Sequence, residues 1–403
     1  MDFKSLVQEY GSPLYVYDFN HFKKQFQSLK EAFRGRKSLV AYAVKSNSNL
    51  SVLKLFGTLG AGADCVSIGE VKRALKAGIK NYNIIFSGVG KRDDEIEEAI
   101  RLGILFINVE SEAEMKRVEM IAQKLEVEAR ISIRVNPNID PQTHPYISTG
   151  LHENKFGVDI ESAKRMYIYA KNSQNLNPVG IHFHIGSQLT QLEPIREASE
   201  KIADLVRHLS VLDIDIKFFD VGGGLGVKYR DEVTIQPYDY AQAILSTLSG
   251  LDVTVVMEPG RYLTANGGYF VSSVLYEKQN DGDKRFLIVD GAMNDLLRPS
   301  LYSAYHKIEY ITDADINESS KGDIVGPICE SGDFLGKDRD IPRDIQHGDI
   351  VVVHSAGAYG FVMSSNYNSR GRVAEVAIED GESRLIRERE DFDKLIELEE
   401  KFL

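Results

Sequence analysis

Between Ser38 and Pro259, short runs rich in β-branched and apolar residues alternate with amphipathic stretches, and that alternation leaves very few architectures open. About eight runs qualify: Ser38 to Val44, Ala63 to Ser67, Asn83 to Ser87, Ile104 to Val109, Ala129 to Val135, Val179 to His184, Lys217 to Val221 and Val253 to Glu258. Most are apolar almost without interruption, as strands covered by helices on both faces must be. The stretches between them carry the helical period. In Glu70 to Ala77 the residues Val71, Ala74 and Leu75 share one stripe, and in Ala198 to Leu209 the residues Ile202, Leu205 and Val206 do so. Strands in this number with helical crossovers point to a closed, TIM-like (β/α)8 barrel rather than an open sheet.

The chain has 403 residues, more than one ordinary core accommodates. After Gly268 the period changes to that of strands such as Phe286 to Asp290, Ile350 to His354 and Arg372 to Ile378, with turn signals at Asp281-Gly282, Lys321-Gly322 and His347-Gly348. The expected class is therefore α/β plus all-β: a barrel over residues 25–267, and a mostly β domain built from 1–24 and 268–403. Arg387 to Leu403, with Phe392, Leu395, Ile396 and Leu398, reads as a closing amphipathic helix. Asn136 to Phe156 contains Pro137, Pro141, Pro145 and Gly150 with little apolar period. A loop of that length in a compact domain is usually functional, often a lid.

Composition removes several classes of function. Hydrophobic residues at 43% and charged residues at 27% describe a globular protein. A net charge of -12 repels a phosphate backbone, so nucleic acid is not expected as a partner. No run approaches the roughly 18 apolar residues of a membrane span, and Met1 to Tyr10 lacks the apolar core of a signal peptide. The two cysteines, Cys65 and Cys329, imply no disulfide framework, and the expected location is cytoplasmic.

Barrel enzymes keep their reactive groups at the carboxyl ends of the strands. Lys45 follows the first run directly. It either snorkels from a strand end or serves as a Schiff-base amine, a role that requires its proton to be shed beside other cations or in a dry site. Gly222-Gly223-Gly224 follows the seventh run, and Glu258-Pro259-Gly260-Arg261 spans the end of the eighth. Glycine turns at these two positions let backbone N–H groups approach an anion, so Gly223, Gly224, Gly260 and Arg261 form a candidate phosphate cradle. The sixth run ends in His182-Phe183-His184-Ile185-Gly186-Ser187-Gln188. His184 is placed to stack on a flat ring and Ser187 to reach the phosphate, while the two histidines are alternatively a metal pair lacking a third ligand. Glu258 ends an apolar strand, where an unpaired carboxylate is unfavourable. It pairs either with an arginine such as Arg261 or with a pyridine nitrogen, whose protonation creates an electron sink.

These residues resemble the fold-type III pyridoxal-phosphate decarboxylases over essentially the whole chain. Gln188, Thr143 to Gly150 with Lys155-Phe156-Gly157, Arg298-Pro299-Ser300-Leu301-Tyr302, Cys329-Glu330-Ser331 and Gly357-Ala358-Tyr359-Gly360 are similar to the diaminopimelate decarboxylase branch. The resemblance implies a C-terminal β-barrel or sandwich domain of the alanine-racemase-like kind. It further implies pyridoxal 5'-phosphate on Lys45, with His184 against its ring and Glu258 at the ring nitrogen. Ser187, Gly224, Gly260, Arg261 and Tyr359 would surround the phosphate. Arg261, Arg298, Tyr302, Glu330 and Tyr359 would hold the substrate, and Cys329 would donate a proton from a loop of the partner subunit in a homodimer. The implied reaction is decarboxylation of meso-2,6-diaminopimelate to L-lysine and CO2 in lysine biosynthesis. Its distal carboxylate calls for arginine and its distal ammonium for a carboxylate. Rivals are decarboxylases of ornithine, arginine or carboxynorspermidine, a racemase, a silent cofactor-binding regulator and a metal-dependent hydrolase. By residue type alone, Cys329 is as well explained as a small buried hydrophobe.

Overall fold

Eight parallel strands close on themselves in this computed structural model, which describes residues 1–140, 155–279, 284–313 and 318–403. After a first strand β1 (Leu14–Asp18) come β2 (Ser38–Ala43), β3 (Gly62–Cys65), β4 (Ile84–Phe86), β5 (Phe106–Val109), β6 (Ala129–Arg134), β7 (Leu176–His182), β8 (Phe218–Asp220) and β9 (Thr254–Met257). Strands β2 to β9 pair in chain order, and β9 returns to β2 with Ser38 opposite Val255, completing the barrel. Each expected run overlaps one of these strands, although β3 begins at Gly62 and β7 at Leu176, ahead of the runs expected there. Ala41, Ile85, Leu105, Phe106, Val179 and Val256 form a buried apolar cluster within it.

The crossover helices bury most of the stripes expected of them: Val71 and Ala74 in Ile68–Lys76, where Leu75 is half-buried, and Ile202, Leu205 and Val206 in Glu193–Val211. Several begin with a polar cap, in two cases just beyond a strand end. The Ser67, Ser111 and Asp159 side chains accept from the backbone N–H groups of Glu70, Glu114 and Ser162, each cap being worth about 1 kcal/mol. The barrel mouth is thereby fixed by local chemistry as well as by packing. This unit comprises Lys23–Val227 and Glu232–Leu263.

The other unit comprises Met1–Phe22, Lys228–Asp231 and Thr264–Leu403. It holds β10 (Gly268–Gln279), β11 (Arg285–Val289), β12 (Ile308–Ile311), β13 (Ser319–Val325), β14 (Phe334–Pro342), β15 (Ile350–Val353), β16 (Ala374–Glu379) and β17 (Glu382–Arg387). With β1 they make a mixed, nine-stranded sheet in the order β14-β13-β11-β10-β1-β16-β17, to which β15 adds beside β10, and β12 beside β15. The chain's first strand sits inside this sheet, antiparallel to β10 and parallel to β16. Phe3, Leu6, Leu14, Val16, Val271, Ile350, Val352, Ala374 and Val376 build its apolar core.

Two expectations need correction here. Lys321-Gly322 is not a turn: both residues lie in β13, at a register shift against β14. A Cβ on Gly322 would meet Ile341 Cδ1 at 2.7 Å, so the glycine marks a close approach within the sheet. The closing helix is shorter than expected, Phe392–Glu400, and none of its residues is buried; Arg387 instead ends β17. Asp281-Gly282 and Thr143 to Gly150 lie outside the described residues. Among the described residues no helix is long and apolar enough to cross a membrane.

Candidate active site at the barrel mouth

Lys45 occupies a single helical turn, Val44–Ser46, directly after β2. Tyr42 Oη donates to Asn47 O at 2.9 Å and Ser46 Oγ to Ala43 O at 2.8 Å, which fixes the turn from both ends. Lys45 Nζ donates to Asp64 Oδ2 at 2.8 Å. Asp64 lies in β3 with its side chain wholly buried, so the lysine points at the barrel interior and does not snorkel. Burial and the Glu258 charge push the Asp64 carboxyl up, against the pull of Lys45. Asp64 was missed in the sequence, although a carboxylate in an apolar run is the same signal that singled out Glu258.

Three neighbouring strand ends bring His182, Asp220 and Glu258 together, with ligand-type atoms within 4.8 Å of one another and all three residues buried. His182 Nε2 lies 3.2 Å from Glu258 Oε2, so the partner of Glu258 is His182 and not Arg261. Burial alone would raise the Glu258 carboxyl; the His182 imidazole and the Lys45 charge outweigh it and hold the group well below the usual carboxylate range. Asp220 moves the opposite way, well above that range, through burial and the neighbouring Glu258 charge. One proton is thus kept on Asp220 while Glu258 remains ionised. The two histidines do not converge as a metal pair. His184 Nδ1 accepts from Gly223 N–H at 3.2 Å, and burial together with the Arg134 and Lys45 charges lowers its imidazole to about 3. His184 is neutral, with its proton on Nε2.

The glycine turns close the mouth. Gly224 has φ +113°, and a Cβ there would meet Gly186 O at 2.3 Å; one on Gly223 would meet Glu258 O at 2.3 Å. A Cβ on Gly260 would sit 3.0 Å from Ser46 Cβ, which places this loop against the Lys45 turn. Arg261 opens a short helix after β9 and its Nη2 donates to Ser187 Oγ at 3.1 Å. Lys45, His184, Ser187, Gly223, Gly224, Glu258, Gly260 and Arg261 therefore share one rim.

Pyridoxal phosphate fits this donor set. Glu258 Oε1 is a buried acceptor to which no N–H donates, which leaves a lone pair for a protonated ring nitrogen. A neutral imidazole supplies a ring face, and a guanidinium, a hydroxyl and glycine backbone suit a phosphate. A further pair went unnoticed in the sequence. Arg134 Nη1 donates to Glu110 Oε1 at 2.9 Å, Glu110 Oε2 accepts Gly157 N–H at 2.8 Å, and the Phe156 ring lies 4.6 Å from the Arg134 guanidinium. Lys155-Phe156-Gly157 is thus tied to the ends of β5 and β6.

The remaining candidates belong to the other unit. Arg298 is buried, its Nε 3.4 Å from His306 Nε2 and its guanidinium 5.9 Å from the Tyr302 ring. Tyr359 is half-buried with φ +56°. Cys329 is an exposed free thiol and not a buried hydrophobe. Its N–H donates to Asn368 Oδ1 at 2.8 Å, while the exposed Glu330 accepts from Gly332 N–H at 3.3 Å. Asp333 braces the same loop by accepting from the N–H groups of Met293 and Ile328 at 2.7 and 2.8 Å.

The family described as pyridoxal-dependent decarboxylase, pyridoxal binding domain, matches residues 19–265. The diaminopimelate decarboxylase of Campylobacter jejuni is 61% identical to this chain over 404 residues, covering 100% of both. The crystal structure of diaminopimelate decarboxylase from Helicobacter pylori complexed with L-lysine matches with a TM-score of 0.96 at 56% identity, covering 100% of both chains. Lysine/ornithine decarboxylase from Vibrio vulnificus complexed with putrescine matches with a TM-score of 0.81 at 23% identity, over 94% of this chain and 97% of that one, a likeness of fold alone.

Proposed function

This chain belongs to the diaminopimelate decarboxylase family of pyridoxal-dependent decarboxylases, and from that premise we propose that the barrel rim around Lys45 is its catalytic centre. It is an amino-acid carboxy-lyase that uses pyridoxal 5'-phosphate to convert meso-2,6-diaminopimelate to L-lysine and CO2. The observation that carries the assignment of residues is the conjunction of Lys45 on Asp64 with an ionised, donor-seeking Glu258.

Lys45 Nζ is the amine that would hold the cofactor aldehyde, with Asp64 orienting it. Glu258 Oε1 would accept from the ring nitrogen and His184 would lie on the ring face. Gly223, Gly224, Gly260, Ser187, Arg261 and Tyr359 would hold the phosphate. When bound, pyridoxal phosphate supplies the electrophile and the electron sink for the pair left by departing CO2. The chain's residues do the rest. Arg261, Arg298 and Tyr302 bind the substrate, Tyr359 assists, and Glu330 receives the distal ammonium. Cys329 Sγ–H gives its proton to Cα, and solvent restores the thiol.

A homodimer with shared sites is part of the same proposal. Its support is that Cys329 and Glu330 are exposed in the single chain, whereas a proton donor and an ammonium partner work best away from water. Two inactive proteins, Lys45→Ala and Cys329→Ala, should regain activity when mixed under conditions of subunit exchange. Persisting inactivity in exchanged mixtures would remove the shared site. The two unbridged thiols support a cytoplasmic location.

Substrate assignment is tested by incubating the cofactor-loaded protein with meso-diaminopimelate, ornithine, arginine and carboxynorspermidine and weighing the products. L-lysine from diaminopimelate is expected. A faster reaction on any of the others overturns the assignment.

A further inference from the structure

Glu258 is the reactive end of a larger assembly. It stands on the last barrel strand end, Asp220 ends β8 and His182 ends β7, so the three side chains come from consecutive strands of one rigid wall. Their exposures are 6%, 0% and 2%. Among the described residues two hydrogen bonds brace them, His182 Nε2 with Glu258 Oε2 at 3.2 Å and Gly222 N–H to Asp220 Oδ1 at 2.9 Å. Glu258 Oε1, Asp220 Oδ2 and His182 Nδ1 are buried, and no N–H or hydroxyl from outside the trio reaches them, so the Asp220 and Glu258 carboxyls can share a hydrogen bond only when one of them keeps its proton. Two facing carboxyls in such a place cannot both be ionised without a large penalty, and an unbraced buried carboxylate would simply take up a proton. Lys45, Asp64, His184 and the Tyr240 phenol also face this group.

We infer that His182 and Asp220 are positioning residues for Glu258, His182 Nε2–H fixing one carboxylate oxygen and the Asp220 carboxyl holding the proton that Glu258 must not carry. The trio is a charge-setting device for the cofactor's ring nitrogen. Glu258 has about four lone-pair sites; two neighbours occupy some and fix the plane, and the remainder face the ring. The opposite displacements of Asp220 and Glu258 described above agree with this division. The inference rests on Glu258 being the partner of that nitrogen. It goes further by saying what keeps Glu258 ionised in a dry wall, a role that neither His182 nor Asp220 has in the proposal above.

The test uses holoenzyme loaded with cofactor carrying nitrogen-15 in its ring, and reads the ring nitrogen's chemical shift at neutral pH. Wild type should show the protonated nitrogen and Glu258→Gln the unprotonated one. His182→Leu should move toward the unprotonated value with cofactor still bound, whereas His182→Gln, whose amide can still donate, should stay near wild type. In parallel, kcat of His182→Leu should fall about ten- to a hundredfold with KM retained, the scale of a lost supporting partner one step removed from the reacting group. If Glu258→Gln shifts the signal and His182→Leu does not, the inference is overturned while the role of Glu258 stands. If Glu258→Gln leaves the signal unmoved, both fall. Should His182→Leu fail to fold, the imidazole nitrogens of wild type decide: Nε2 must carry the proton, and a spectrum with Nε2 bare overturns the inference.

Discussion

The barrel rim and the loop between β13 and β14 hold their functional groups in opposite ways. On the rim, Asp64, His182, Asp220 and Glu258 are all buried and interact with one another or with Lys45. In the loop, Cys329 and Glu330 are exposed, and the groups that hold it grip its backbone: Asp333 and Asn368 accept from main-chain N–H groups, and Ser300 Oγ donates to Gly332 O at 2.7 Å. Burial sets protonation states before any ligand arrives, because each charge is measured against a neighbour and not against water. A braced backbone with exposed side chains sets position and leaves chemistry to be completed by whatever covers it. The first region should therefore fail through electrostatics, and the second through geometry.

The comparison breaks most sharply at Lys45. Lys45→Ala should abolish CO2 release and the visible absorbance of lysine-bound cofactor, leaving a folded barrel whose Asp64 has lost its cation; an unchanged spectrum would end the assignment. Cys329→Ala should retain the full cofactor spectrum and substrate affinity while kcat falls by about 10²–10⁴, the range of a lost general acid. Wild-type turnover in Cys329→Ala would show that the exposed loop has no part in proton transfer.

The same contrast explains what could be read from the residues alone. Strands, crossover helices and rim glycines leave local signatures: apolar runs, a 3.6-residue stripe, turn chemistry at strand ends. Lys45, Glu258 and Arg261 were legible because a charged residue at the end of an apolar run is conspicuous. Asp64 and Asp220 carried that signal too and were passed over, since nothing local says that the ends of β2 and β3, or of β8 and β9, stand side by side. His182 was read as half of a possible metal pair because its partners lie 38 and 76 residues further along the chain. Cys329, Glu330 and Arg298 have no local signature at all. An exposed thiol in a short loop looks like any other, and only family resemblance singled them out. Gly322 misled for the complementary reason, as a glycine required by packing against Ile341 is indistinguishable locally from one required by a turn.

A smaller effect sharpens the electrostatic side. Burial, and then the Arg134 charge, disfavour the His184 imidazolium and lower its imidazole to about 3 from an ordinary value of 6.5. Between those two values the unfolded chain binds a proton that the folded chain does not, so stability rises with pH across that window. The contribution is complete above about 6.5 and is lost as the pH falls toward 3. Denaturant melts of wild type should lose stability between neutral pH and pH values near 4, and His184→Gln should flatten that limb. An equal slope in both proteins would mean the imidazole is not held neutral.

The smallest expected change belongs to the braced loop. Asn368 has φ +57°, in the left-handed region that asparagine tolerates better than most residues, and from there its Oδ1 reaches Cys329 N–H. Asn368→Gly keeps that backbone conformation available and deletes only the hydrogen bond, worth about 0.5–1.5 kcal/mol. If the loop's task is to place Cys329, kcat should fall a few-fold with cofactor binding and absorbance unchanged, and Asn368→Gly should add nothing to Cys329→Ala, because the same thiol is the target of both. Independent, additive losses would mean that Asn368 acts on something other than Cys329.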